Sequence, residues 1–390
     1  MSTTRREFLR PTGLLPDIPG QTESAAGVPG AAPAASAELF DVADFERAAH
    51  AQMSPMAWEY VAGGAADEIT LRWNQEAYRR LRLRPRALVD VSQLDTRVRL
   101  FGRELPHPIL FAPAAYQKLF HPEGELAVVQ GANATDTTFV VSTSATTSIE
   151  DIAGAAQKPL WFQLYVQRDR ELTRELVRRA EAAGYEALVV TVDTPVLGPR
   201  YRELRAKFAL PPGLERVNLR GSKGVTGAHR PTEKEIYSVT LDPTLTWKDI
   251  EWLRALSKLP VLLKGIMTAE DAERSVQAGV AGIIVSNHGA RNLDTLPATI
   301  DMLPEVAAKI SGRLPILFDG GIRRGTDILK ALALGANAVM IGRPYLFGLG
   351  AQGATGVARV VNVLRRELEA ALALTGRRSI ADLDASVIWR

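Results

Sequence analysis

The chain contains no cysteine, which excludes disulfides, thiolate metal centres and every thiol-nucleophile mechanism. Aromatic residues make up only 6%, and the basic residues are scattered, so the stacking-plus-phosphate surface of a nucleic-acid binder is not expected. Charge is nearly balanced, 47 Lys and Arg against 44 Asp and Glu, a formal net charge of +3. The five histidines (His50, His107, His121, His229 and His288) show no H-x-x-x-H or similar spacing, so no histidine-built metal site is expected. No apolar run is long enough to cross a bilayer. What remains is 390 residues of ordinary globular composition, 46% hydrophobic and 23% charged, enough for one large domain or two smaller ones.

Residues 1–37 read as a leader. "TTRREFLR" has the outline of a twin-arginine export signal, and "AASA" (Ala34–Ala37) could end one, but Pro16, Asp17, Pro19 and Glu23 interrupt the apolar core such a signal needs. A Pro/Gly/Ala-rich leader on a cytoplasmic protein is the preferred expectation, with export by a degenerate signal as the alternative. From Asp41 a helical pattern begins, with Asp41 or Asp44 able to cap it; Gly63-Gly64 breaks the pattern and a second helical stretch follows.

From Pro108 onward, short apolar runs alternate with amphipathic segments of helix length. The runs are "PILFAP" (108–113), "TFVVST" (138–143), "LWFQLY" (160–165), "ALVVTVD" (187–193), "PVLLKG" (260–265), "GIIVSN" (282–287), "PILFDG" (315–320) and "AVMIGR" (338–343). None alternates with period two, as expected of strands covered on both faces. Eight such units predict an α/β fold, a closed (β/α)8 barrel over residues 38–390 preceded by a helical segment. A doubly wound sheet is the alternative; it would want a Gly-rich phosphate loop after the first strand, and "APAAYQKLF" is not one. The fourth connection, residues 194–259, is long enough to predict a lid or binding loop.

In a barrel of this kind the strands' C-terminal ends carry the chemistry. Read in order, they deliver Ala114 and Ala115, Ser142, Gln163 and Tyr165, Thr191 and Asp193, Lys264, Ser286 and His288, Asp319, and Gly342 with Arg343. One or two polar strand ends would be ordinary capping; this many on one face predicts a site. "FDGGIRRGTD" adds Gly320, Gly321 and Arg323 before a helix start, and with Gly342 and Arg343 predicts a phosphate cradle of exposed N–H groups, a helix N-terminus and two guanidiniums.

"SNHGARNLD", "DGGIRRGTD", "HPEGE" (121–125), "QLYVQRD", "TVDTP" and "LLKGI" together resemble the FMN-dependent α-hydroxy-acid oxidase/dehydrogenase family, in family order and over roughly Asp41 to Ser379. The resemblance implies FMN as cofactor and oxidation of an (S)-2-hydroxy acid to the 2-keto acid. It makes His288 the base and Asp193 the group that holds its ring; Arg291 and Arg200 clamp the substrate carboxylate, and Tyr60 and Tyr165 bond its oxygens. Lys264 would sit beside the flavin edge where charge develops on reduction. The flavin would be held by Pro113, Ala114, Ala115, Ser142, Gln163, Thr191, Lys264 and Ser286, and its phosphate by Asp319, Gly320, Gly321, Arg323, Gly342 and Arg343. Without the resemblance Tyr60 reads as a packing tyrosine. Asp294 reads as a brace for the His288 loop, and His107 and His121 read as structural.

Two departures from the family pattern stand in the central motif: Ala290 replaces a commoner glycine and Asn292 a glutamine. Small residues at Ala115 and Ser144, the latter where glycolate-type members can carry a bulky aromatic, imply room for lactate or a larger, aryl substrate such as mandelate. "AYQKLFHPEGELAV" is similar to hydroxymandelate-oxidase-like members. The residues before Asp41 are too few for a haem domain, so electrons are expected to pass to O2 or another external acceptor. The family also implies a homo-oligomer, a tetramer or octamer. Two other readings stay open on the sequence alone: a phosphate-substrate isomerase or aldolase using Lys264 as an amine, and a barrel that binds flavin or phosphate without catalysis.

Overall fold

The structure, a computed structural model, describes residues 38–221, 236–238 and 240–389. The leader, His229 and residues 222–235 of the long connection lie outside the described residues. Eight strands close into a parallel barrel: β1 (Ile109–Phe111), β2 (Phe139–Ser142), β3 (Leu160–Leu164), β4 (Leu188–Thr191), β5 (Val261–Ile266), β6 (Gly282–Val285), β7 (Ile316–Phe318) and β8 (Ala338–Ile341). They follow chain order around the barrel, and β8 pairs β1 through Val339–Ile109 to close it.

The absence of alternation in the sequence has a direct cause. Leu110, Val140, Trp161, Val189, Leu262, Ile284, Leu317 and Met340 point inward and fill the barrel. Their strand neighbours, among them Ile109, Phe111, Phe139, Val141, Phe162, Leu263 and Phe318, pack outward against the helices. Both faces are dry, so every strand position is apolar until the strand ends. Leu100 and Leu105, from a hairpin of Val98–Leu100 and Arg103–Leu105, join the inner core, and Phe101 meets Trp161 edge-on with ring centroids 5.5 Å apart.

Three helices precede the barrel: α1 (Val42–Gln52), α2 (Pro55–Ala62) and α3 (Ile69–Arg80). Both acids offered as the cap of α1 take part, in a reciprocal capping box: Asp44 N donates to Asp41 Oδ1 at 2.9 Å and Asp41 N to Asp44 Oδ2 at 3.2 Å. No residue near the start of α3 caps it through its own side chain. Its first amides donate instead to Asp294, which lies 3.2 Å from Ile69 N and 2.8 Å from Thr70 N and also accepts from Asp67 N ahead of the helix at 3.0 Å.

The connection after β4 is less irregular than its sequence implied. It contains a short helix at Tyr201–Arg205, a single turn at Val217–Leu219 and a ten-residue helix at Trp247–Leu256 whose Ile250 and Leu253 are buried. The last of these is the barrel helix that belongs between β4 and β5, started by a Thr246–Asp249 capping box. Among the described residues no helix is long and apolar enough to cross a membrane.

Candidate active site

The strand tips converge on a cavity of about 250 Å³ at the C-terminal mouth of the barrel. On one side, three adjacent tips form a hydrogen-bonded ledge. Ser142 Oγ donates to Gln163 Oε1 at 3.3 Å, and Gln163 Nε2 donates to Thr191 Oγ1 at 2.9 Å. The next three tips continue it: Lys264 Nζ donates to Ser286 Oγ at 2.8 Å and lies 3.3 Å from Asp319 Oδ2. All six side chains are nearly or wholly buried. Pro113, Ala114 and Ala115 line the cavity beside them, from the end of β1.

Beyond β6 the chain turns through three consecutive left-handed residues, His288, Gly289 and Ala290, with φ of 58°, 60° and 62°. This turn projects the His288 ring into the cavity. Its Nδ1 stands 2.8 Å from Asp193 Oδ1, and its Nε2 lies 3.3 Å from the Tyr165 hydroxyl. An ionised carboxylate only accepts, so the proton sits on Nδ1 and the Nε2 lone pair faces the cavity. Burial pulls the imidazole below its ordinary value, outweighing the upward pull of Asp193. Burial pushes Asp193 up, but His288, Lys264 and the hydrogen bonds to its carboxylate outweigh this and hold it below the usual range. The pair at neutral pH is therefore a neutral histidine against an aspartate anion.

Asp193 does not line the cavity; it stands behind His288, and Gly265 makes room for it. β5 shifts register between Lys264 and Ile266, and Gly265 takes φ of 112° there. A Cβ at Gly265 would lie 2.5 Å from Asp193 Cβ. Asn292 also serves the aspartate: its Nδ2 donates to Asp193 O at 2.9 Å and Thr194 Oγ1 at 2.8 Å.

Arg291 and Arg200 meet on the same cavity wall. Arg291 Nη1 donates to the carbonyls of Tyr60 and Gly63 at 2.7 and 2.9 Å, and its guanidinium carbon lies 4.8 Å from the centroid of the Tyr60 ring. Arg200 Nε donates to Arg291 O at 3.0 Å. The Glu203 carboxylate is near both guanidiniums, 2.8 Å from Arg291 Nη2 and 3.6 Å from Arg200 Nη1. Sequence reasoning missed Glu203. Its sole signal was a position one helical turn beyond Arg200. Tyr60 is half-buried on the cavity wall rather than in the core; it stacks on Phe208 at 4.7 Å and tilts against Tyr116 at 5.5 Å.

The far end is strongly cationic. Gly320, Gly321, Arg323, Gly342 and Arg343 line it. Arg343 donates to the carbonyls of Val61, Gly289 and Gly63 at 2.9, 3.0 and 2.7 Å; burial, with Arg291 and Arg323 nearby, pushes its pKa down to about 9. Arg323 lies over the Phe347 ring at 5.6 Å, and its buried Nε has no partner among the described residues. Gly321 packs so closely on α3 that a Cβ would lie 1.8 Å from Asn74 O. A helix does start just after Gly320, Gly321 and Arg323, at Gly325, but its N-terminus does not serve the cavity. The helix beginning at Gly325 spends its first amides on acids, Arg323 N and Arg324 N on Asp327 and Gly325 N on Glu367, all within 2.8–3.0 Å. The helix that opens at Arg343 starts on the cavity wall instead.

Asp294, expected as a brace, is one: it touches α3 and not the cavity. His107 is buried beneath β1, its Nε2 2.8 Å from Thr135 O, and takes no part in the site.

Comparison with known proteins finds relatives along most of the chain. The chain is 48% identical over 352 residues to the L-lactate oxidase of Nostoc sp., covering 88% of this chain and 96% of that one. It is 47% identical over 354 residues to a 2-hydroxyacid oxidase of Dictyostelium discoideum, covering 89% of each. A mandelate oxidase solved with (S)-4-hydroxymandelic acid superposes with a TM-score of 0.83 at 42% identity, covering 88% of this chain and 97% of that one. With residues 49–390 matching the family described as FMN-dependent dehydrogenase, the barrel, its strand-tip ledge and its cationic end belong to a member of that family of flavoprotein oxidoreductases.

Proposed function

We propose that this protein oxidises an (S)-2-hydroxy acid with an aryl or otherwise bulky side chain to the 2-keto acid. The observation that carries the reading is His288, backed by Asp193 at 2.8 Å, facing a cavity that also holds Arg291 and Arg200. Arg291 and Arg200 attract the substrate carboxylate, and Tyr165, 3.3 Å from His288 Nε2, is placed to bond the substrate hydroxyl. His288 Nε2 takes a proton from the substrate's α-carbon or its hydroxyl, and Asp193 stabilises the imidazolium that results. Tyr60 closes the carboxylate end from above Arg291.

The residues fit FMN on three features of the cavity. The Ser142–Gln163–Thr191–Lys264 ledge, with Ser286 holding Lys264, offers donors and acceptors to a heteroaromatic edge. Asp319 Oδ1 is buried with no partner among the described residues, suiting a sugar-alcohol hydroxyl. Arg323 and Arg343 are buried guanidiniums with no carboxylate in ion-pair distance among the described residues, suiting a phosphate together with the backbone of Gly320, Gly321 and Gly342. When bound, FMN supplies the two-electron acceptor. Lys264 at the ledge stabilises negative charge there. Its contacts with Ser286 and Asp319 leave little to support the amine-nucleophile reading.

The substrate class rests on the wall opposite the ledge. Tyr60, Tyr116 and Phe208 form an aromatic cluster facing the cavity, and Ala115 and Ser144 leave space beside it. A flat apolar side chain stacks there with little polar cost. Mandelate oxidase structures with bound mandelic acids support the same reading. The described parts of the connection after β4 cover the site, since Leu197, Phe208, Leu219, Thr240 and Leu241 line the cavity. Electrons leave to O2 or another external acceptor. The exposed Tyr201, Leu204 and Leu293 suit self-association into a tetramer or octamer, and the charged, proline-broken leader suits a cytoplasmic location.

The test is anaerobic mixing of the yellow holoenzyme with (S)-mandelate, (S)-lactate and glycolate, followed by admission of O2. Bleaching of the flavin, fastest with mandelate, is expected. His288→Ala should keep the flavin and lose the bleaching; bleaching at the wild-type rate would show that His288 is not the base.

A further inference from the structure

Glu203 is a buried carboxylate on the wall of the reaction cavity, in the short helix Tyr201–Arg205. Its Oε1 is 2.8 Å from Arg291 Nη2 and 3.6 Å from Arg200 Nη1, so one oxygen stands between the two guanidiniums. The remaining contacts of these arginines go to neutral groups. Arg291 Nη1 meets the carbonyls of Tyr60 and Gly63, Arg200 Nε meets Arg291 O, and Arg200 Nη2 lies 3.4 Å from Asn292 Oδ1. Both arginines are nearly buried, with side chains 14% and 15% exposed, and Glu203 is 9% exposed. Two buried cations need an anion, and here the chain itself provides one.

We propose that Glu203 is the resident counter-anion of the Arg200–Arg291 pair, and that an incoming carboxylate binds in competition with it. This rests on the reading of that pair as the substrate's carboxylate clamp. Glu203 has two opposed effects. It keeps the guanidiniums separated and aimed before substrate arrives, which lowers the reorganisation needed on binding. It also repels a second carboxylate brought to the same two cations and thereby weakens binding. A monocarboxylate therefore gains only the donors that Glu203 leaves or releases, and a neutral headgroup gains none of the charge attraction. Glu203 is a positioning residue: it sets affinity and headgroup discrimination, while the proton is moved at His288.

The backbone of the helix carrying Glu203 is anchored on the cavity wall. Arg202, next in sequence, pairs with Glu59 of α2, and Phe208 N donates to Glu203 O at 2.9 Å while the Phe208 ring stacks on Tyr60. Glu203 is thus fixed from both sides against the element that also carries Tyr60. A short Asp at 203 would retain the charge but withdraw it from Arg291.

The test uses holoenzyme and two unreactive probes, phenylacetate and the neutral phenylacetamide, with Kd read from the perturbation of the flavin absorbance. In the wild type, phenylacetate should bind more tightly than the amide; no preference would overturn the clamp reading itself. In Glu203→Gln, phenylacetate should bind about tenfold more tightly while the amide shifts by less than about twofold. The KM for the hydroxy acid should fall by more than the limiting rate of flavin reduction changes. Unchanged or weaker phenylacetate binding in a folded, flavin-loaded Glu203→Gln protein overturns the proposal and leaves the clamp standing. Should the Gln variant not fold, Glu203→Asp gives the same decision: it should bind phenylacetate more tightly than wild type, and equal or weaker binding overturns the proposal.

Discussion

Replacing Gly265 by alanine is expected to damage catalysis without touching any group that meets the substrate. The new Cβ would lie 2.5 Å from Asp193 Cβ and 2.9 Å from Asp193 Oδ2. Carbon atoms settle at about 3.5 Å or more, so Asp193 must retreat by roughly 1 Å. Because the clash is with Cβ and not a mobile tip, rotation of the carboxylate alone does not relieve it. A retreat of that size takes the 2.8 Å contact with His288 Nδ1 to nearly 4 Å, beyond hydrogen-bond range. At an effective dielectric of about 20, the attraction between imidazolium and carboxylate drops by roughly 1.5 kcal/mol. Loss of a charge-assisted hydrogen bond adds about 1.5 kcal/mol more. The sum, about 3 kcal/mol, is roughly a hundredfold in rate. The assay is anaerobic stopped-flow reduction of the flavin by saturating (S)-mandelate. Thermal unfolding serves as a control, because an alanine at φ of 112° carries strain of about 1–3 kcal/mol and should lower Tm by a few degrees. A Gly265→Ala enzyme that retains its flavin and reduces it within twofold of the wild-type rate would refute the link between the β5 bulge and the histidine.

Other perturbations carry clear signs. Since burial holds His288 below 6.5, the rate of flavin reduction at low substrate should be flat through neutral pH and fall only at pH below 6.5. Asp193 raises that value, so Asp193→Asn should shift the acid limb to still lower pH as well as slowing the plateau; a shift upward in a pH–rate series would contradict the assignment. His107, pushed down to about 4 by burial, binds its proton more readily in the unfolded chain. Stability should accordingly be full above pH 6.5 and decline as pH falls towards 4, by roughly 3 kcal/mol in total. Urea unfolding at pH 7 and pH 5 should show a smaller pH-dependent loss in His107→Asn than in the wild type. Arg343→Met removes a buried guanidinium from the cationic end and should weaken FMN binding at least tenfold in flavin-release titrations, with riboflavin, which lacks the phosphate, affected far less.

The barrel was legible because its physics is repetitive: a strand covered on both faces must be apolar at every position, and each helix must carry one apolar stripe. The site was legible for a related reason. A strand that is apolar along its length and then presents Gln163, Thr191, Lys264 or Ser286 at or near its C-terminal end has no packing motive for the change. What escaped were features that depend on pairs distant in sequence. Glu203 looks like one more solvated acid of a charged helix until Arg291, 88 residues later, is brought to 2.8 Å. Gly265 looks like a strand-ending turn until Asp193 is laid against it. The Gly325 helix start looked like an anion site because the acids that occupy it, Asp327 and Glu367, gave no hint of their direction. In the covering segment, the helix at Trp247–Leu256 was absorbed into a presumed loop because the irregular residues before it hid its capping box.

The left-handed turn at His288–Ala290 joins these observations. For residues other than glycine that conformation costs on the order of 1–2 kcal/mol each, and Ala290 accepts it with φ of 62°. The bonds that hold the turn come from outside the strand that delivers it. Ala65 N, between α2 and α3, donates to Ala290 O at 2.8 Å. Asn74 of α3 makes a reciprocal amide pair with Asn287, at 3.0 and 2.9 Å, and Asn287 Oδ1 accepts from Ala290 N at 3.2 Å. Arg343, from the end of β8, donates to Gly289 O. The turn in return contributes Asp294 to cap α3. The helices ahead of the barrel are therefore part of what holds the His288 turn. They supply the bonding that lets His288 remain in a strained conformation aimed at the cavity, and the same α3 lies against Gly321 at the cationic end. One helix thus braces both the His288 turn and the cationic end, and Arg343, bonded to Gly289 O, links the two directly.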